Sequence, residues 1–284
     1  MEGLVAYPVA ELTSREVADA LTRAFEGYLP GPVDVDARAY EWRFRAEDLD
    51  PFVSRVYRLN RSVAGILLVA RRGWTSRIAG MGVAPTVRGR GLGRLIVTEA
   101  LGEARARGDR SVLLEVFERN TPAVRLYQKL GFRAQRRLIG YRREPGKLSP
   151  GKTGTLTEAD PLGVARIVAR EGERDLPWML AAETISAITS PARAYHLDHR
   201  AYAVIENPET GPLVLATLIV RQAERRKGWG SRLLHALEAE FPDRPFFVPA
   251  IVPEGPVGTF LVELGWEPEP LSQSEMVLKL PQAA

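Results

Sequence analysis

The chain has 284 residues, no cysteine, and 39 basic against 35 acidic side chains, for a formal net charge of +4. The length favours two domains, and the lack of cysteine excludes a thiol nucleophile, disulfides and cysteine-ligated zinc. The small, mostly arginine charge excess suits phosphate-bearing ligands but is too diffuse for nucleic acid, and Met1 to Val5 begin no secretory signal. No apolar run reaches the roughly 18 residues of a transmembrane helix, so a cytoplasmic protein without nucleic-acid or membrane partners is expected.

Residues 4–9 read as a strand. Thr13 or Ser14 caps a helix to about Phe25, with Glu16 in its first turn. Residues 27–35, with two prolines and two glycines, form a loop, and Asp36 caps a helix to about Asp48. Strands are expected at 54–59 and 62–70, joined by a tight turn at Asn60-Arg61, and at 76–83. Gly80 and Gly82 inside the last of these imply that something approaches that backbone closely. A helix at 91–107 presents Leu92, Leu95, Ile96, Ala100 and Ala104 on one face. Residues 111–116 read as a buried strand and 121–130 as a short helix with Pro122 at its start. One or two closing strands fill 132–143. The run Pro145 to Gly154, rich in proline and glycine, is a linker.

The second half repeats this order. Helices are expected at 161–170 and 177–188, and strands at 194–197, 201–206 and 213–220. A helix opens on Arg225-Arg226-Lys227-Gly228-Trp229-Gly230, then come a strand at 246–252 and a helix at 257–264. Gly91 and Gly228 lie 137 positions apart, and the pairs Gly131-Phe132 and Gly265-Trp266 lie 134 apart. So constant an offset indicates a duplication: residues 1–145 and 155–284 as two domains joined by a linker at 146–154.

The chemistry concentrates in the first half. Arg88-Gly89-Arg90-Gly91-Leu92-Gly93 follows an apolar strand and opens a helix. A glycine-rich strand-to-helix turn offers unpaired N–H groups and the positive end of a helix dipole, which suit a pyrophosphate. Asn120, Ala123, Leu126, Tyr127, Gly131 and Phe132 follow in order, with Tyr127 placed to give a proton to something bound alongside. Asn120 bonds the cofactor, caps the helix after it, or does both. His196 and His199 form H-x-x-H about a turn at Asp198, but no third ligand is evident and no metal is expected. Trp42, Trp178, Trp229 and Trp266 read as core or cleft wall.

Val83, Pro85, the R-x-x-G-x-G run and the Asn120–Phe132 set together resemble the GNAT superfamily of acetyl-CoA-dependent N-acetyltransferases. The resemblance is strong over residues 4–143 and looser over 155–280. It implies two tandem α/β (α+β) domains. Each would hold a mixed, mostly antiparallel sheet, splayed between its fourth and fifth strands around an acyl-CoA cleft and flanked by helices. The tandem arrangement is similar to that of the mycothiol synthases, which work mainly through their C-terminal half. Here the N-terminal half holds the signature, so the acceptor is not carried over. Leu114-Glu115-Val116 with Asn120 and Tyr127 resembles the ribosomal-protein alanine acetyltransferases. That resemblance implies Glu115 as general base and Tyr127 as general acid.

On this reading acetyl-CoA is the cosubstrate. The N–H groups of Gly89, Arg90, Gly91, Leu92, Gly93 and Arg94 cradle its pyrophosphate, and Arg88, Arg90 and Arg94 add charge. Met81, Gly82 and Val83 pair with the pantetheine arm and polarise the thioester. The second half departs from the pattern: Gln222 replaces Pro85, Glu254 replaces Asn120 and Leu261 replaces Tyr127. It is expected to be a scaffold or a vestigial cofactor site at residues 225–230. The expected activity is acetyl transfer to a primary amine, a small molecule or a peptide N-terminus, in a ternary complex. The alternative is a non-catalytic acetyl-CoA sensor or interaction module. The sequence does not fix the oligomeric state.

Overall fold

The computed structural model describes residues 3–146 and 155–281. The elements run β1 (Leu4–Pro8), α1 (Ser14–Ala24), α2 (Ala37–Ala46), β2 (Arg55–Leu59), β3 (Ser62–Arg72), β4 (Thr75–Val83), α3 (Leu92–Ala106), β5 (Ser111–Phe117), α4 (Thr121–Lys129) and β6 (Arg133–Arg143). They continue with β7 (Leu156–Ala159), α5 (Pro161–Glu171), α6 (Ala182–Ser186), β8 (Arg193–Leu197), β9 (Ala201–Glu206), β10 (Leu213–Val220), α7 (Trp229–Glu240), β11 (Phe246–Pro253), α8 (Pro256–Glu263), β12 (Glu267–Pro268) and β13 (Gln273–Lys279).

Two compact units form, but their boundaries differ from the sequence expectation. One comprises residues 1–136 with 273–284, the other residues 137–272. The domain expected at 1–145 thus gives up its last strand from Arg137 onward, and the domain expected at 155–284 gives up β13. All of the expected linker except Gly146 lies outside the described residues.

In the first unit the sheet order is β1-β2-β3-β4-β5-β13, antiparallel except for the parallel pair β4–β5. Local chemistry places the helices. Thr13 accepts from the Glu16 N–H while Glu16 accepts from the Thr13 N–H, a reciprocal cap that starts α1. Asp36 caps α2 through the Ala39 N–H at 2.7 Å. Asn60 and Arg61 both take positive φ, as a two-residue hairpin turn between β2 and β3 requires. Helices α1 and α3 cover opposite faces of the sheet. A β-carbon on Gly82 would meet Phe25 and Ala24 at the end of α1, whereas one on Gly65, next to its cross-strand partner Ile66 and so on the opposite face, would meet Ile96 and Leu92 of α3. Leu92, Ile96, Val97 and Leu101 pack with Leu67, Ile78, Leu114 and Met276 into one core.

The second unit repeats the plan with order β7-β8-β9-β10-β11-β6, and β12 adds to β6. The helix expected at 177–188 is broken into a 3-10 turn at Trp178–Leu180 and the short α6. Between them Ala181 is extended, and the Thr184 hydroxyl donates to the Trp178 carbonyl at 2.7 Å. The structure adds three strands the sequence reading did not place: β7, β12 and β13.

One carboxyl in this unit sits at odds with its surroundings. Glu206 ends β9 opposite Val214, and burial pushes its pKa up to about 7. A raised carboxyl pKa favours the neutral form in the fold. Its contribution is therefore complete below the ordinary carboxylate pKa and is lost as pH rises through about 7. Glu206→Gln should remove that slope and raise stability at pH 8 by on the order of 1–3 kcal/mol. Urea unfolding at pH 5 and pH 8 measures it; equal slopes for both proteins would contradict the assignment.

Candidate active site

The first unit has an opening where its parallel strands part. β4 and β5 pair from Thr75↔Ser111 to Ile78↔Leu114 and no further. Ala79, the next residue, is the extra residue of a bulge: Gly80 pairs with Leu68 and Ile78 with Val69. From Ala79 to Val83, β4 therefore keeps β3 on one side and no strand partner on the other. The glycines of β4 serve a different end from the one expected. The space beside Gly82 is filled by Phe25, and the nearest atoms to a β-carbon on Gly80 belong to Arg43. The close approach is made by the protein's own side chains.

At the end of this gap lies the turn expected to cradle a phosphate. Gly91 is the N-cap of α3 with φ +85°, and Gly89 is also left-handed at +76°. Glycine takes this conformation without the cost a side chain would bring. Among the described residues, none of the N–H groups from Gly89 to Arg94 donates to a backbone carbonyl. A β-carbon on Gly89 or Gly91 would meet no protein atom within 4 Å, so the space over these donors is open. Arg90 and Arg94 are exposed beside it. Arg88 is exposed as well, but its Nε donates to the Val83 carbonyl (2.8 Å) and its Nη2 to the Glu26 carbonyl (2.6 Å). These two bonds tie the turn to β4 and to the segment after α1. The side chains of Leu92, Met81 and Val83 join the core, which leaves only their backbone to face a ligand.

Tyr127 projects from α4, 5% exposed, with its ring edge-on to Phe132 at 5.7 Å. Burial, with a smaller contribution from nearby Tyr28, holds its pKa above the ordinary phenol value. Its hydroxyl has no hydrogen-bond partner among the described residues. Asn120 caps α4 by accepting from the Ala123 N–H at 3.4 Å. Tyr28 stacks edge-on between Phe25 and Phe117, and forms an aromatic wall that the sequence reading missed.

Glu115 does not stand free. Arg77 Nε donates to both of its carboxylate oxygens (2.8 and 3.1 Å), and Arg77 Nη1 donates to Glu47 at 2.6 Å. Arg43 completes the network, bonding Glu47 and the bulge carbonyl of Ala79. Burial works against charge here. Glu115 and Glu47 nevertheless hold the Arg77 pKa above its usual value, and Arg43 and Arg77 hold Glu47 below its own.

The second unit carries the same framework. β10 and β11 pair only at Leu213↔Phe246 and Val214↔Phe247, and Ala216 is the bulge residue. Gly228 caps α7 with φ +80°. Arg225 Nε donates to the Val220 carbonyl (3.3 Å) and Arg225 Nη2 to the Glu171 carbonyl, the same clamp as at Arg88. Arg226 stands where Gly89 does and is left-handed despite its side chain. Trp229 is buried, with the guanidinium groups of Arg200 and Arg232 over its ring at 4.6 and 3.9 Å. Lys227 is exposed and ion-pairs with Glu224, and Gly230 packs against Phe260. His196 and His199 stack at 3.9 Å with the His199 N–H donated to His196 Nδ1. Among the described residues no three His, Asp or Glu side chains cluster to hold a metal, and no helix is long and apolar enough to cross a membrane.

The first unit thus combines a splayed β4–β5 pair, an open row of N–H donors at the start of α3 and a buried phenol on α4. Residues 15–132, less than half of the chain, match the Acetyltransferase (GNAT) family. The whole chain is a tandem GNAT-fold protein. It superimposes on a tandem GNAT protein from the clavulanic acid biosynthesis pathway with a TM-score of 0.69 at 17% identity, covering 99% of this chain and 100% of that one. A GCN5-related N-acetyltransferase from Sphaerobacter thermophilus gives 0.69 at 14% identity, covering 100% and 98%. Curated relatives match only in segments. A mycothiol acetyltransferase of Streptosporangium roseum is 52% identical over 18% of this chain and 15% of its own length. A streptothricin acetyltransferase of Streptomyces lavendulae is 35% identical over 30% of this chain and 47% of its own length. The chain thus spans less than half the length of either relative.

Proposed function

We propose that the first unit transfers an acetyl group from acetyl-CoA to the primary amine of a small molecule, by direct attack in a ternary complex. The observation that carries this reading is the pairing of an open row of N–H donors at Gly89–Arg94 with the unpartnered Tyr127 hydroxyl. The donors hold the pyrophosphate, and the unpaired edge of β4 from Ala79 to Val83 takes the pantetheine arm. An N–H on that edge polarises the thioester. The amine attacks the carbonyl carbon, the C–S bond breaks, and Tyr127 gives the departing thiolate its proton. Shared segments with mycothiol and streptothricin acetyltransferases favour a small-molecule acceptor over a peptide N-terminus.

Thiol release from acetyl-CoA across a panel of amines tests this. Release that rises with one amine supports the enzyme. Tight acetyl-CoA binding with no release from any amine would make the chain a sensor. Gly91→Val should weaken acetyl-CoA binding at this unit by at least about tenfold in calorimetry with the circular dichroism unchanged. The new side chain would stand in the open space over the donors, in a backbone conformation it resists. Unchanged affinity would remove the cradle.

Its ion pair with Arg77 makes Glu115 a positioning group in this scheme, with the amine proton leaving to water. Glu115→Gln should lower turnover by a similar factor from pH 6 to pH 9 and cost about 1–3 kcal/mol of stability. A defect confined to low pH, where the amine needs deprotonation, would restore Glu115 as the base.

A further inference from the structure

Leu261, buried in the second unit, stands where Tyr127 stands in the first. Both helices end alike, with the Phe132 N–H bonded to the Tyr127 carbonyl and the Trp266 N–H to the Leu261 carbonyl, each at 3.0 Å. Leucine cannot protonate a thiolate. A different phenol reaches the same helix, however. Tyr141 comes from β6, opposite Val248 of β11, and is 3% exposed. Its hydroxyl lies so close to α8 that a β-carbon on Gly258 would fall 2.1 Å from it.

The position is informative because helical side chains lean toward the helix N-terminus and cover the preceding turn. A tyrosine at 261 would set its hydroxyl over the turn that contains Gly258. Tyr141 delivers a hydroxyl to that turn from the sheet. The three positions have changed together between the units. In the first, the helix carries Tyr127 and Val124, and the strand residue opposite Leu114 is Met276. In the second, the helix carries Leu261 and Gly258, and the strand residue opposite Val248 is Tyr141. The phenol has moved from helix to strand, and the helix has lost the side chain that would block it. Any residue but glycine at 258 would collide with the hydroxyl. Like that of Tyr127, this hydroxyl has no hydrogen-bond partner among the described residues. Burial, helped by Glu254 and opposed by Arg137, raises its pKa and keeps it protonated at neutral pH.

We propose that the second unit is itself an acyltransferase centre, in which the Tyr141 hydroxyl protonates the departing CoA thiolate. The inference rests on the acyl-CoA reading of the fold and extends it to a unit whose helix has lost its tyrosine. The amine nitrogen bonds to the acyl carbon and the C–S bond breaks. The Tyr141 proton passes to sulfur, the ammonium proton goes to water, and the phenolate is reprotonated from solvent. The cradle at Gly228, clamped by Arg225, holds the CoA phosphates.

The full-length chain tests this with acetyl-CoA as probe. Hydroxylamine at high concentration serves as the amine, because so small a nucleophile needs no fitted acceptor pocket. Calorimetry should count two acetyl-CoA per chain in wild type, in Tyr127→Phe and in Tyr127→Phe/Tyr141→Phe. Thiol release should persist in Tyr127→Phe and fall at least about tenfold further in the double variant, with acetyl-CoA affinity unchanged. Phenylalanine keeps the ring in place, and retained stoichiometry shows that the second unit is folded. One acetyl-CoA per chain overturns the proposal, as does equal release by the single and double variants, or no release above background from Tyr127→Phe. A Tyr127→Phe rate equal to wild type would instead count against the first-unit mechanism, and the effect of Tyr141→Phe would still be read against it.

Discussion

A chain ending at Ser272 is expected to lose acetyl-CoA binding at the first unit and to aggregate, although every residue of the cradle, Tyr127 and Glu115 would remain. The reason lies in β13. It pairs with all of β5, from Gln273↔Phe117 to Lys279↔Ser111. Met276 is 1% exposed and Leu280 5%, both in the core that also holds Leu114 and Tyr127. Glu275 is buried and takes the Arg136 guanidinium at 2.8 Å. Losing two buried apolar side chains costs about 3–6 kcal/mol, a large part of the roughly 5–15 kcal/mol that holds a domain together. The truncation also strips β5 of its antiparallel partner and leaves a bare apolar edge, a template for pairing with other chains. Size-exclusion chromatography and calorimetry would read the result. A synthetic peptide of residues 273–281 should restore part of the binding by adding the missing strand in trans. A truncated chain that stays monomeric and binds acetyl-CoA as before would show that β13 is dispensable. The same geometry predicts failure for residues 1–145 expressed alone, since that piece also lacks β13.

This dependence was hidden in the sequence for a physical reason. Alternation along Gln273–Lys279 encodes which side chains face a core, not which sheet supplies the neighbouring strand. The duplication was legible because the turn chemistry is local. Gly91 and Gly228 are both left-handed N-caps, and Arg88 and Arg225 make matching bonds to the carbonyls of Val83 and Val220. The role of those arginines was not legible, because charge beside a phosphate turn reads the same whether it points at ligand or at backbone. Gly82 was informative about space but not about its occupant, which proved to be Phe25. Glu115 shows a similar limit. Its partner Arg77, which also holds Glu47, is distant in sequence, and nothing in the run Leu114-Glu115-Val116 announces an ion pair. Tyr141 lies in a strand with no motif of its own, and only Gly258 on α8 marks what it reaches.

The second large effect is expected from Tyr127→Phe, which should cut first-unit turnover by about 10² to 10³-fold with little change in acetyl-CoA affinity. The ring would stay in the core against Phe132, and the hydroxyl it loses has no protein partner, so stability should hardly move. What is lost is a proton for the thiolate. Because burial raises the Tyr127 pKa, the phenol stays protonated up to its ordinary value and beyond, and no alkaline fall in wild-type rate below about pH 10 should trace to it. The cause can be isolated with the leaving group. An acetyl thioester of a more acidic thiol departs without needing a proton, so the Phe defect should shrink with that substrate toward a few-fold. A defect of equal size with both thioesters would assign the loss to cofactor positioning. A rate within about twofold of wild type, measured with Tyr141→Phe in the background to silence the second unit, would mean that the thiolate draws its proton from elsewhere.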